Sequence, residues 1–185
     1  MRSNDDNVEI ELLHIELELK IGRAQHFRHF VDQYYCYRHG YVTSAGRAKW
    51  EALLRTGVVS AAALDERDRK RLVREHAVPL KVITDHLLRL VDAGPLSIAA
   101  TIDKYFIVGL ITKEEDQQLR RLNLSNRMPM EYFERGRLLH GNLLARYHAA
   151  NITLAQTPSH VFKPSAEEVF QSSQPLRASG SVTRR

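Results

Sequence analysis

A chain of 185 residues, 43% apolar and 26% charged, has the size of one domain with a tail and a composition that excludes wholesale disorder. No apolar run approaches the ~20 residues of a membrane span, Met1–Asp6 lacks the apolar stretch of a secretory leader, and the lone Cys36 excludes an internal disulfide framework or a multi-cysteine zinc site. A soluble, cytoplasmic protein that does not enter a membrane is expected. The net charge of +5 is unevenly spread: residues 1–20 hold two basic and six acidic side chains, whereas residues 21–163 hold 22 basic and 14 acidic. Arginine outnumbers lysine 20 to 7. Guanidinium forks match phosphate and carboxylate bidentately, so this bias suits an anionic partner.

In chain order, residues 8–38 read as one long helix weakened at Gly22. The first half alternates in places like a strand, but its composition and the spacing Ile10, Leu13, Leu17, Ile21 and Ala24 favour helix; Phe27, Phe30, Val31, Tyr34 and Tyr35 continue the stripe. A helix this long needs a partner surface, either the domain's own core or a second copy of the chain. A second helix is expected from Thr43 or Ser44 to Gly57, carrying Trp50, Leu53 and Leu54. A third is expected from Ser60 or Asp65 to Glu75, its outer face dense in Arg67, Arg69, Lys70, Arg71 and Arg74 among acids. Pro79 opens a fourth, with Leu80, Ile83, Leu87, Leu90 and Val91 as its stripe and Gly94-Pro95 as its end. A fifth, Ser97–Lys104, leads into the apolar run Tyr105–Ile111, which fits a short strand or a buried helix end. Thr112 and Glu115 form a capping box for a helix to Leu122, and a last helix is expected from Glu131 to Ala149. The predicted architecture is mainly α: a single-domain multi-helix bundle over residues 7–155 with room for one short strand near 106–111. Residues 1–6 are expected as a flexible N-terminus, and residues 156–185, rich in Pro, Ser and Gln, as a polar, flexible tail.

Glu75-His76-Ala77-Val78-Pro79 resembles the opening Asp/Glu-His-x-x-Pro segment of the HNH nuclease motif. The resemblance implies that Glu75 binds a divalent metal such as Mg²⁺ and that His76 is the general base for water attacking a phosphodiester. In that family the proline leads into a glycine-containing loop, a second strand and a helix that supplies an Asn and a second metal-binding His. Here no glycine follows Pro79 until Gly94, the next histidine is His86 and the next asparagine is Asn123. His140, or the acids Glu114, Glu115 and Asp116, would therefore have to complete a metal site with Glu75 through tertiary packing. Read locally, Glu75 and His76 form the last turn of a helix, where a His sits favourably against the dipole. The stretch Ile111–Asp116, with Leu119, Met128-Pro129, Ala145-Arg146-Tyr147 and Ile152, is similar to small bacterial or phage proteins that carry a Glu-His-x-x-Pro segment.

Other candidates are His26, His29 and Asp32, which share part of a helix face, and the Tyr34, Tyr35, Tyr37 and Tyr41 cluster, which suits a core, an interface or base stacking. Cys36, set among tyrosines, reads as a buried inert thiol. Three functional readings stay open. The leading one is a non-catalytic protein that binds nucleic acid or a nucleoprotein complex through Arg67, Arg69, Lys70, Arg71 and Arg74, joined by Arg120 and Arg121. The others are a divergent HNH-like, metal-dependent nuclease using Glu75 and His76, and a protein–protein adaptor or inhibitor acting, as a homodimer, through its N-terminal helix.

Overall fold

In the computed structural model, which describes residues 4–55 and 57–155, the expected N-terminal helix is two helices, α1 (Asn4–Lys20) and α2 (Phe27–Arg38). Gly22 divides them. It adopts φ +64°, its N–H donates to Leu19 O at 3.0 Å, and the Arg23 N–H reaches back to Glu18 O at 2.9 Å. That pair of bonds closes a helix at a left-handed residue, so the apparent weak point is a full stop. Residues 4–6, expected to be flexible, are the first turn of α1, while residues 1–3 and the tail over 156–185 lie outside the described residues. The partner surface that α1 needs comes from its own chain, because Leu12 and Ile15 are buried in a core shared with Phe27, Val31 and Tyr34 of α2.

The rest of the fold is helix-rich but mixed α/β rather than a pure bundle. It contains β1 (Val58–Val59), α3 (Ala61–Asp65), β2 (Leu72–His76), α4 (Leu80–Leu88), α5 (Pro95–Tyr105), β3 (Val108–Thr112), α6 (Lys113–Arg121) and α7 (Ala145–Ala149). Three expected helices are corrected. The segment after Thr43 is a small hairpin, with Lys49 N–H bonding Tyr41 O at 2.7 Å and Thr43 Oγ1 accepting from Arg47 N–H at 3.1 Å, followed by a 3-10 helix over Trp50–Arg55. The side chains of Leu53 and Leu54 lie outside the described residues. The helix expected to reach Glu75 stops at Asp65; Asp68 caps a 3-10 turn over Arg69–Arg71, and the chain then runs extended as β2. The last expected helix is mostly turns, with Gly136 at φ +84° and Gly141 at φ +65°, and only Ala145–Ala149 is helical. Pro79 does precede a helix, α5 and the Thr112 capping box form as expected, and the apolar run over 105–111 supplies β3.

The sheet order is β1-β3-β2, with β1 parallel and β2 antiparallel to the central β3. Side chains on a strand alternate between faces, and here each face has its own core. One core joins Val108 to Phe106, Ile83, Ile98, Ile102 and the α1–α2 hairpin. The other joins Ile111 to Ile107, Leu119, Tyr147 and Ile152, with Val73 packed against it. Among the described residues no helix is long and apolar enough to cross a membrane.

The α1–α2 loop closes over Glu18, whose side chain is only 3% exposed and whose Oε1 receives Arg23 Nη2 at 2.7 Å and lies 3.1 Å from His26 Nδ1. Burial pushes this carboxyl up, but the bonds from His26 and Arg23 outweigh it and hold the group below its ordinary 4.5. A carboxylate with a depressed folded-state pKa adds stability above its unfolded value and loses it as pH falls through the folded one. Glu18→Gln should therefore lower the urea midpoint at neutral pH, and the gap to the parent should close as pH drops below 4.5. A gap that is constant from pH 7 to pH 3, measured by urea titration monitored by circular dichroism, would contradict this assignment.

Candidate functional site

Strand β2 sets the site. Its register against β3 pairs Arg74 with Leu110, Glu75 with Gly109 and His76 with Val108. Glu75 and His76 are therefore not in one helical turn. They are strand neighbours, and the pleat sends them to opposite faces.

On one face Glu75 is enclosed by α7. Arg146, 2% exposed at its side chain, donates from Nη2 to Glu75 Oε2 at 2.8 Å, and the Tyr147 hydroxyl donates to Oε1. A third arm of the same cluster runs from Arg146 Nη1 to His76 O at 2.7 Å, so one guanidinium holds both the Glu75 side chain and the His76 backbone. Burial pushes the Glu75 carboxyl above its ordinary value; Arg146 and Tyr147 pull it back only in part. Burial first, and then the Glu75 charge, drive the Tyr147 phenol far up, so it acts as a donor. Gly109 makes this packing possible, since a Cβ at that position would overlap the Tyr147 hydroxyl.

On the other face His76 rests edge-on against Phe106, with 4.9 Å between ring centroids. Its Nε2 lies 3.4 Å from Asp32 Oδ1 of α2, with side-chain exposures of 17% and 15%. That separation is within ion-pair reach but longer than an N–H···O hydrogen bond. Among the described residues Asp32 Oδ1 is accordingly a buried acceptor without a hydrogen-bond donor, and Arg146 Nε is a buried donor without an acceptor.

Both unsatisfied groups belong to residues that line a cavity of about 780 Å³ beside β2, whose outer edge has no strand partner among the described residues. Arg28 and Asp32 of α2, Lys81 of α4, Arg120 of α6 and Arg146 of α7 meet Trp50, Arg74, Glu75 and His76 around it. Five of the lining residues are Arg or Lys and three are Asp or Glu. Arg146 is spent on Glu75, and Arg120 on Asp116 at 2.7 Å. Arg74 packs over the Trp50 ring at 5.2 Å and donates to Trp50 O. Among the described residues Arg28, Arg74 and Lys81 have no ion-pair partner, so the cavity keeps an excess of uncompensated positive charge.

The expected residues divide between this site and elsewhere. Glu75, His76, Arg74 and Arg120 line the cavity. Arg71 is paired with Glu66 at 3.3 Å and Glu114 at 2.8 Å, whereas Arg67, Arg69, Lys70 and Arg121 are exposed. His140, expected as a metal partner for Glu75, sits in the turns before α7 with Nδ1 3.2 Å from Tyr132 O, away from the cavity lining. The three consecutive acids have separate employment: Glu114 on Arg71, Glu115 in the capping box and on the Ser60 hydroxyl, and Asp116 on Arg120. His26 turns to Glu18, and His29 packs beside Phe30, which separates them from Asp32. Among the described residues no three His, Cys, Asp or Glu side chains converge as a metal site. Asp32 meets His76 rather than His26 and His29, and Arg146 meets Glu75; both pairings are made by the packing of α2 and α7 on β2, which no local spacing in the sequence encodes.

The Glu75 cluster makes a coupled prediction. Tyr147→Phe leaves Oε1 without its donor and should cost roughly 1–3 kcal/mol, and Gly109→Ala should cost a similar ~1–3 kcal/mol through overlap with the hydroxyl. The double variant should be less destabilised than the sum, because Phe removes the atom that the new methyl strikes. Strict additivity in denaturant titrations would show that Gly109 is needed for some other reason.

No protein-family model, curated protein or solved structure matches the chain.

Proposed function

We propose that the protein binds nucleic acid, alone or within a nucleoprotein complex, through the cavity beside β2 and the exposed Arg67, Arg69 and Lys70 on the turn leading into that strand. The observation that carries this reading is the convergence on one cavity of Arg28, Arg74 and Lys81, all without ion-pair partners among the described residues, while Arg71, Arg120 and Arg146 nearby are neutralised by carboxylates. Cations left uncompensated at one place favour a ligand that brings several negative charges, as a phosphodiester chain does. The shape narrows the class. A recess of about 780 Å³ falls in the range of roughly 300–1,000 Å³ that encloses a small ligand, so it suits a single strand or a strand end better than a duplex. Trp50 in its lining, one ring face of which is taken by Arg74, is an aromatic side chain of the kind on which bases stack.

Binding of fluorescent single-stranded RNA and DNA should weaken log-linearly with salt between about 50 and about 200 mM. Lys81→Ala and Arg28→Ala should each reduce that slope by about 0.7, the share of one phosphate contact on a single strand. Lack of binding to either oligonucleotide at low salt would sink the reading. The rival, self-association through α1, would then lead, since Leu13 and Leu17 on that helix and Ile21 in the turn after it are 47%, 58% and 58% exposed; light scattering across a concentration series distinguishes the two.

A further inference from the structure

Resting on the nucleic-acid reading above, we infer that the same cavity is the centre of a metal-independent ribonuclease, in which His76, paired with Asp32, takes the proton from a ribose 2′-hydroxyl as that oxygen attacks the adjacent phosphorus. The pairing carries the role. Among the described residues Asp32 Oδ1 is a buried acceptor with no hydrogen-bond donor, and His76 Nε2 stands 3.4 Å from it, within ion-pair reach. With its N–H turned to Asp32, the ring keeps a lone pair on Nδ1 for use as a base. When that base takes a proton the imidazolium gains a charge that Asp32 answers, so the contact strengthens in the transition state more than in the resting state. Phe106 fixes the ring's tilt, and Arg146 Nη1, on the His76 carbonyl at 2.7 Å, fixes the strand that carries it.

The rest of the cavity selects the nucleophile. Glu75, which the motif offers as a metal ligand, has Oε2 held by Arg146 and Oε1 by Tyr147, and among the described residues no three ligating side chains converge. A histidine base with cations around it works best on a nucleophile already tethered next to its target. The 2′-hydroxyl of RNA is such a group, and well-oriented intramolecular attack is equivalent to about 10⁵–10⁸ M of free nucleophile. DNA lacks that oxygen. In the step itself the 2′-O–H bond breaks and its proton goes to His76, the 2′-O–P bond forms, and the P–O5′ bond breaks. The departing oxygen takes a proton from the Lys81 ammonium, and solvent returns the His76 proton to Lys81, so protons balance and no oxidant, reductant or water is consumed. Arg28 and Arg74 neutralise the charge that builds on the phosphoryl oxygens. The products are a 2′,3′-cyclic phosphate and a 5′-hydroxyl end.

The test uses the full chain, an end-labelled single-stranded RNA, its all-deoxy counterpart and its 2′-O-methyl counterpart, all in chelator. The expected result is cleavage of the RNA alone, with a 2′,3′-cyclic phosphate end, while the other two bind uncut. His76→Ala should lower the rate on the order of 10²–10⁴ while the variant still binds RNA, which shows that the loss is one of chemistry and not of the fold. Asp32→Asn, a positioning change, should lower kcat and leave KM unaltered. RNA that binds but stays intact overturns the inference and leaves the binding reading standing. Cleavage that needs added Mg²⁺ or extends to DNA, or that survives in His76→Ala, also overturns it. If Asp32→Asn raises KM at constant kcat, Asp32 belongs to substrate binding and its assigned role falls. Failure of all three oligonucleotides to bind would instead break the underlying reading.

Discussion

A buried carboxylate held by one guanidinium organises this molecule. Glu75 is removed from water by α7, and burial of a charge is tolerable only when it is paired and hydrogen-bonded. Arg146 and Tyr147 supply the partners, and Gly109 supplies the room. A buried pair of this kind adds little net stability over an apolar replacement, but removing one member costs about 3–5 kcal/mol because the other is left uncompensated. Its larger contribution is to register. A slip of β2 by one residue would turn Glu75 toward the α1–α2 side and set Arg74 and His76 against Arg146 in its place, so the cluster locks which side chains of β2 point which way.

Everything proposed for the site follows from that lock. With Glu75 committed to α7, His76 must face the other layer, where Asp32 of α2 and Phe106 await it. Among the described residues the outer edge of β2 has no strand partner, and unpaired edges invite association with other chains unless they are charged or covered. Here Arg74 and the mouth of the cavity occupy that edge, and basic side chains from both layers reach into it. On the proposed reading, an edge that a protein would otherwise have to blunt is where an anionic chain would lie. The acids around it are not surplus ligands: Glu75, Asp116 and Glu114 each answer a particular arginine.

Local signals were legible where they are self-contained. The Thr112 capping box, the start after Pro79 and the α5 helix appear as expected, and the apolar run before Thr112 takes the strand of its two readings. Cys36 is fully buried, and burial pushes its thiol up to about 11, which fits the inert reading. The failures share a cause. Leu72-Val73-Arg74-Glu75-His76 has charges that suit a helix, and only pairing with β3 makes it a strand, information that lies more than thirty residues away. In the last segment the apolar spacing predicts a helix, yet Gly136 and Gly141 break it and Leu138 is 94% exposed, so periodicity alone overstated what is buried.

The site was half legible for the same reason. The five-residue motif identified Glu75 and His76 as a notable pair but assigned them to one task, because adjacent residues in a helix share a neighbourhood that adjacent residues in a strand do not. The basic residues before β2 were visible as a cluster, but which of them are neutralised depends on Glu66 and Glu114, and only the fold brings Glu114 near. The most direct measurement of the central claim, that the cavity beside β2 is where an anionic strand is held, is photo-crosslinking of a short 4-thiouridine RNA followed by peptide mass spectrometry. Crosslinks on the peptides containing Trp50 and residues 74–81 are the predicted result; crosslinks confined to α1 or to the outer face of α5 would contradict it.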